Sequence, residues 1–344
     1  MPRARHTVAG VSRADETLVD LALARGTLDR EGALRKDGGL LARLLRDRDT
    51  RVLELTDSAA RTSPTVPTVD GSRLQLRGPE PEDAGRLAMF LGSDASGTAY
   101  LAVVTGGSEG ADGAPSKGAR PSGGEPAATF REQAGATLRE VGVRLSARDA
   151  GLFTTAQALA NWHAAHTHCP RCGALTEPAE AGWTRRCTAD STEHYPRTDP
   201  AVIMSVLDDH DRLLLARAPQ WPAGRVSVLA GFVEPGEPLE AAVAREVREE
   251  VGIAVTDVRY LGNQPWPFPA SLMVGFSARA LDTELLPDQD EIAEARWWSR
   301  SELAAAVGER TVLLSPRLSI ARRLIEHWYG GPLGPPGEPE WVRG

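Results

Sequence analysis

The sequence predicts an α+β protein of more than one domain, and three observations carry that expectation. Strand-like runs and amphipathic helices are mixed along 344 residues rather than alternating in a steady βαβ order. The chain is longer than one ordinary core fills. Its three cysteines, Cys169, Cys172 and Cys187, cluster between two longer stretches, a pattern of metal binding rather than of a disulfide framework. Hydrophobic residues at 41% and charged residues at 25% are the mix of a globular protein. A net charge of −8 excludes a general attraction to nucleic-acid backbone, so any polyanionic substrate must be met locally. No apolar run reaches the roughly 18 residues that span a bilayer, and Met1 to Ala24 lacks the apolar segment of a signal peptide. A cytoplasmic protein with no membrane partner is expected.

In order along the chain, residues 1–165 read as an N-terminal α+β domain. Leu40, Leu41, Leu44 and Leu45 repeat at helical spacing, and Tyr100 to Val104 is strand-like. Residues 106–127 shift to Gly, Ser and Pro, a composition that buries too little apolar surface to order itself, and read as a flexible loop. Ala136 to Ala165 reads as a helix, with Leu152, Ala156, Leu159 and Trp162 on one side. Residues 166–199 form the small cysteine module. From 200 to 329 strands are expected at Ala201 to Leu207, Arg212 to Ala216, Val226 to Leu229, Val258 to Tyr260, Leu272 to Ser277 and Ala295 to Trp298. Helices are expected at Leu239 to Val251 and Ser315 to Trp328. Residues 330–344, rich in proline, read as an irregular tail.

The helix Leu239 to Val251 carries the chemistry. Glu246, Glu249 and Glu250 are spaced i, i+3, i+4 and share one face. Like charges that close repel unless a cation lies between them, and hard divalent ions take oxygen ligands of this kind. Leu239, Val243, Val247 and Val251 form the opposite, apolar stripe. The preceding loop, Gly231 to Pro238, holds two glycines and two prolines, which set turns and allow close approach of backbone to a ligand. Arg245 is placed to orient Glu249 or to reach Glu237. A solvated amphipathic helix has the same glutamate spacing, so the glutamates alone leave both readings open.

The whole string, Gly231, five residues, Glu237, seven residues, then Arg245-Glu246-Val247-Arg248-Glu249-Glu250-Val251-Gly252-Ile253, resembles the signature box of the Nudix hydrolases at every position. The resemblance implies an α/β/α sandwich over residues 200–329, Mg²⁺ or Mn²⁺ as catalytic metal, and Glu246, Glu249 and Glu250 as catalytic and metal-binding carboxylates. Glu246 and Glu250 are then ligands, and Glu249 is ligand or base. Further on, Gln264-Pro265-Trp266-Pro267-Phe268-Pro269-Ala270-Ser271 is a stiff extended ridge that excludes helix. It resembles the stretch marking the NADH pyrophosphatase subgroup of that family; Asn263 departs from the serine usual before it.

That second resemblance implies hydrolysis of NADH or NAD⁺ to nicotinamide mononucleotide and AMP, with NAD-capped RNA as the alternative main substrate and a homodimer as the working form. A non-catalytic nucleotide-binding protein is the reading from another class, and a full set of box carboxylates speaks against it. Residues 264–271 are implied to line the pocket, Phe232 and Tyr195 to stack on bases, Glu291 to bind metal, Ala230 to offer its carbonyl to metal, and Ala321 and Arg139 to contact substrate. Cys169-Pro170-Arg171-Cys172-Gly173 is the turn of a zinc ribbon. Cys187 is followed by Asp190 where the subgroup has a fourth cysteine, so Asp190, His194 or His168 is left to complete a structural zinc site.

Overall fold

The computed structural model describes residues 17–56, 64–69, 71–106 and 135–334. The loop expected at 106–127 lies outside these residues except for Gly106, as does the tail from 335 onward. By compactness the described chain forms two units, one of residues 26–197 and one of residues 198–334 joined by residues 17–25. Among the described residues no helix is long and apolar enough to cross a membrane.

The unit of residues 26–197 is built on a five-stranded sheet of β1 (Arg51–Thr56), β2 (Thr65–Val66), β3 (Ala88–Ser93), β4 (Ala99–Thr105) and β5 (Ala136–Thr137), in the order β3-β4-β1-β2-β5. Strands β1 and β4 run parallel, while β3 is antiparallel to β4. Val52, Phe90, Leu101 and Val103 pack with Leu40 in one core. Helix α1 (Ala147–Ala165) packs against β1 and β3. It begins where Ser146 Oγ accepts the Asp149 N–H. That cap separates α1 from a one-turn helix at Leu138–Val141, so the single helix expected over 136–165 is interrupted.

The cysteine module is a three-stranded antiparallel sheet of β6 (Thr176–Ala179), β7 (Thr184–Cys187) and β8 (Glu193–His194), with β7 central. By compactness it groups with the N-terminal sheet. The Trp183 indole N–H donates to the Phe90 carbonyl at 2.6 Å, and His163 Nε2 donates to Gly182 O at 2.9 Å.

The other unit is the predicted α/β/α sandwich. Its sheet comprises β9 (Asp199–Leu207), β10 (Leu213–Arg217), β11 (Leu229–Phe232), β12 (Val255–Trp266), β13 (Ser271–Ala280) and β14 (Glu294–Trp298). The order is β12-β13-β9-β10-β14, with β11 paired to β9. Strand β9 runs parallel to β13 for its whole length, from Asp199 opposite Ser271 to Leu207 opposite Arg279. Because successive side chains point to opposite faces and both faces are covered, β9 is apolar from Pro200 to Leu207 apart from Ser205. Val202, Met204 and Val206 meet α2 (Leu239–Val251) through Val243, Val247 and Val251. Ile203 and Leu207 meet α3 (Arg300–Gly308) and α4 (Ile320–Tyr329) through Leu303, Val307, Ile320, Leu324 and Ile325.

Residues 17–25 group by compactness with the sandwich unit. Leu21 is buried in the core beneath α4, a burial that contributes about 2 kcal/mol. The Leu18 N–H donates to Leu261 O at 2.6 Å, and Arg323 Nη2 donates to Val19 O at 3.2 Å. This segment is too short to show any period in the sequence, and its partners lie far along the chain.

Candidate active site

Three carboxylates, a glycine and an arginine are brought together where α2 passes β11. Helix α2 spans the residues expected and stops at Gly252, whose φ of +79° and N–H bonded to Arg248 O form a left-handed cap. Glu246 and Glu250 are 9% and 8% exposed, and Glu249 lies on the open side. The Glu246 carboxylate rests directly on the backbone of Gly231: a methyl group at that position would lie 1.8 Å from its Cδ. Only glycine leaves that space.

Arg245 serves both functions read from its spacing. Its Nε and Nη2 donate to the two Glu237 oxygens at 2.8 and 2.9 Å, and Nη1 donates to Glu246 Oε1 and Glu249 Oε2, each at 2.8 Å. Nη2 also donates to Phe232 O at 2.9 Å. One guanidinium thereby ties the loop Gly231–Pro238 to the acidic face of the helix, and Glu237 holds the Arg245 charge above its ordinary range.

Glu250 differs from its neighbours. Burial, then the charges of Glu246, Glu291 and Glu249, push its pKa up to about 8, and burial also raises that of Glu246. Among the described residues Glu250 Oε2 is buried without a hydrogen-bond partner. Glu291 arrives on the segment 286–293, which is fixed along the end of α2: Leu286 N–H donates to Val251 O at 2.9 Å and Asp288 N–H to Glu250 O at 3.0 Å. An orphaned buried oxygen among hard oxygen donors that repel one another fits a divalent cation.

Beside these carboxylates opens a cavity of about 500 Å³. Of the residues singled out in the sequence, Glu250, Glu291, Ala230, Trp266 and Ala321 line it. Ala230 sits in β11 opposite Ile203, and Ala321 in the first turn of α4. Gln264 is not among the residues lining this cavity. It is fully buried, its Oε1 accepts the Leu23 N–H at 3.2 Å, and its Nε2 donates to Leu318 O at 2.9 Å. Both ends of the amide are engaged, so it braces the loop before α4 rather than lining open space. The ridge after it ends strand β12 and turns: Trp266 and Phe268 stand edge to face with centroids 4.8 Å apart, Pro267 is buried, Pro265 and Ser271 pair with Leu272 and Trp266, and Pro269 and Ala270 form the turn.

Phe232 is 60% exposed at the end of β11. Tyr195 and Arg139 belong to the other unit. Tyr195 is 64% exposed and its hydroxyl donates to Glu193 Oε2 at 3.1 Å; Arg139 lies in the helix Leu138–Val141. Sequence reasoning missed Gln220, Trp221, Arg225, Asp290 and Ser319, which also line the cavity. The tryptophan and arginine in the short Gln220-to-Arg225 loop were the available signal.

In the cysteine module, the ligand atoms of Cys169, Cys172, Cys187 and Asp190 all lie within 4.8 Å of one another. Hydrogen bonding from the Thr192 N–H, followed by the Cys187 side chain, lowers the Asp190 pKa to about 2, so its carboxylate is ionised. His194 is not one of these four, although its side chain reaches the Cys169 thiol; His168 is bonded to Thr167 Oγ1 at 3.0 Å. Three sulfurs and a carboxylate fit zinc.

Three domain families match the chain: the NUDIX domain at residues 197–315, the NADH pyrophosphatase zinc ribbon domain at 164–195 and the NADH pyrophosphatase-like rudimentary NUDIX domain at 33–162. A Nudix domain implies use of a divalent metal, and the ribbon with its cysteine cluster suggests zinc. The NAD-capped RNA hydrolase NudC of Mycobacterium bovis (strain BCG / Pasteur 1173P2) is 48% identical over 200 residues, covering 56% of this chain and 64% of that protein. The Mycobacterium tuberculosis (strain ATCC 25177 / H37Ra) protein of the same name matches to the same extent. The NAD-capped RNA hydrolase NUDT12 of Homo sapiens is 39% identical over 198 residues, covering 54% of this chain and 43% of its own length. The match thus spans less than two thirds of each relative. In its Nudix, ribbon and rudimentary N-terminal segments alike, the chain is similar to the NADH pyrophosphatase branch of the Nudix hydrolase family.

Proposed function

We propose that this protein hydrolyses the pyrophosphate bond of NADH or NAD⁺, releasing nicotinamide mononucleotide and AMP. The carrying observation is Glu250: a buried carboxyl with an orphaned oxygen, sharing a cavity with Glu291 and Ala230. Glu246, Glu249, Glu250, Glu291 and the Ala230 carbonyl would hold Mg²⁺ or Mn²⁺. When bound, such ions neutralise charge developing on the pyrophosphate and lower the pKa of an attacking water. Gly231 leaves room for the Glu246 carboxylate, and Arg245 keeps Glu246 and Glu249 aimed at the same space. Glu249, exposed and ion-paired on one side, is suited to take a proton from water. Trp266 and Ala321 flank the dinucleotide and Phe232 stacks on a base; Tyr195 is the second stacking residue, acting across a dimer, and Arg139 a further contact.

Cys169, Cys172 and Cys187 bind zinc with Asp190 as fourth ligand, a reading supported by their close clustering. The names of the relatives support NAD-capped RNA as a second substrate. A cytoplasmic homodimer and the division into residues 1–165, 166–199, 200–329 and an irregular tail complete the reading. Incubated with NADH and either Mg²⁺ or Mn²⁺, the purified protein is expected to release AMP, and chromatography checks this. Absence of AMP with both metals overturns the hydrolase reading, and comparison of turnover on NADH and on NAD-capped RNA ranks the two substrates.

A further inference from the structure

The cavity beside the carboxylates has a charge problem. Glu250, Asp290 and Glu291 all line it, yet the proposed substrate carries its own negative charges on a pyrophosphate. Among the described residues that line this cavity, Arg225 carries the only positive charge. Its guanidinium lies 4.3 Å from the centroid of the Trp221 ring, which also lines the cavity. A planar guanidinium stacked on an aromatic face has the fork geometry that suits bidentate bonding to phosphate.

The loop carrying this pair is fixed by its backbone. The Trp221 N–H donates to Ala218 O at 3.0 Å, and Arg217, ion-paired to Glu294 at 2.6 Å, donates to Trp221 O at 3.3 Å. On the other side Leu313 N–H donates to Gly224 O at 2.8 Å and Val226 N–H to Leu313 O at 3.1 Å. Gly224, at φ +80°, has Thr311 O so close that a side chain there would lie 2.5 Å from it. The arginine is thus presented from a rigid frame, and little order remains to be gained when an anion arrives.

We infer that Arg225 is a substrate-binding residue that grips the pyrophosphate oxygens of the dinucleotide, with Trp221 as the positioning residue that holds its guanidinium in place. The inference rests on the dinucleotide reading above and adds a protein cation to a site otherwise lined by carboxylates. A charged hydrogen-bonded contact of this kind is expected to change affinity by about 10- to 100-fold.

The test uses the full chain with NADH and Mg²⁺. Arg225→Ala should raise KM about 10- to 100-fold with kcat within a few-fold of the parent, and Arg225→Lys should recover only part of the loss because lysine keeps the charge but not the planar stack. Trp221→Leu should raise KM less, and Trp221→Phe should restore it. In a second arm, calorimetry with NAD⁺ in EDTA should show Arg225→Ala binding at least about 10-fold more weakly, since no metal then shares the phosphate. An unchanged KM and an unchanged Kd in Arg225→Ala overturn the role of Arg225 while leaving the hydrolase intact. Loss of kcat in Arg225→Ala and Arg225→Lys alike, with KM unchanged, overturns it in favour of a structural role. A parent protein that neither binds nor cleaves the dinucleotide sinks the underlying reading instead.

Discussion

Two buried titrating side chains, one in each unit, are both held neutral at pH 7, and they are held so for opposite purposes. In the unit of residues 26–197, burial drives the His163 pKa down from 6.5 to about 4. Both of its ring nitrogens are nevertheless used: Nε2 donates to Gly182 O at 2.9 Å, and Nδ1 accepts from Arg185 Nη1 at 3.0 Å. In the sandwich unit, burial drives the Glu250 pKa up from 4.5 to about 8, and Oε2 has no hydrogen-bond partner among the described residues. A satisfied buried group serves the fold. An unsatisfied one stores a cost that a ligand can relieve.

The largest expected effect breaks the comparison at Glu250. Glu250→Gln should lower turnover on NADH about 10³-fold, roughly 4 kcal/mol in the barrier. The same substitution should leave the metal-free thermal midpoint unchanged or raise it, because it removes a charge that the interior resists. The sign follows from linkage: an acid whose pKa rises on folding costs nothing below about 4.5 and weighs against the fold as pH climbs through about 8. The stability advantage of the glutamine variant should therefore widen between pH 5 and 9. A midpoint that drops at every pH assigns Glu250 to the fold instead.

His163 should respond in the other direction. A base whose pKa falls on folding contributes stability that is complete above pH 6.5 and is lost as pH falls through about 4. The loss amounts to about 3 kcal/mol at 1.36 kcal/mol per pKa unit. The difference in unfolding free energy between the parent and His163→Gln, followed by denaturant titration from pH 7 to pH 4, should shrink or reverse by that amount. A difference that stays flat across this range means His163 is not held neutral.

A smaller effect sharpens the contrast at Gln264, which lies in the sandwich unit but is bonded like His163. Gln264→Leu should cost about 2 kcal/mol through the two abandoned backbone partners, Leu23 and Leu318. Thermal denaturation measures it. A raised KM with no change in midpoint would return Gln264 to the pocket wall.

What was readable in the sequence followed local period. The α2 stripe of Val243, Val247 and Val251 and its opposite glutamates fixed the helix to its residues, because 3.6-residue spacing separates a buried face from an open one. The strands β9, β10, β13 and β14 announced themselves as short apolar runs between turns. What was not readable depends on distance along the chain. The roles of Leu21 and Gln264 are set by partners far along the chain, Leu23 lying 241 positions from Gln264, and Gln264, seen beside three prolines and two aromatics, looks like part of a binding ridge. Arg225 and Trp221 look like ordinary loop residues until β11, α4 and the segment 286–293 enclose the cavity around them. Helix α3, only nine residues long, shows no clear apolar stripe.

The segment of residues 17–25 has a consequence for how the protein is made. It is synthesised well before its partners, and the N–H of Leu23 waits for Gln264, 241 positions later. At about 5 to 20 residues per second that is a delay of tens of seconds. Throughout it Leu21 has no core to enter, while the unit of residues 26–197 is made before the sandwich that will bury it. Synthesis therefore finishes the sandwich by recovering its oldest residues, and the apolar side chain of Leu21 is what a chaperone would have to shield in the interval.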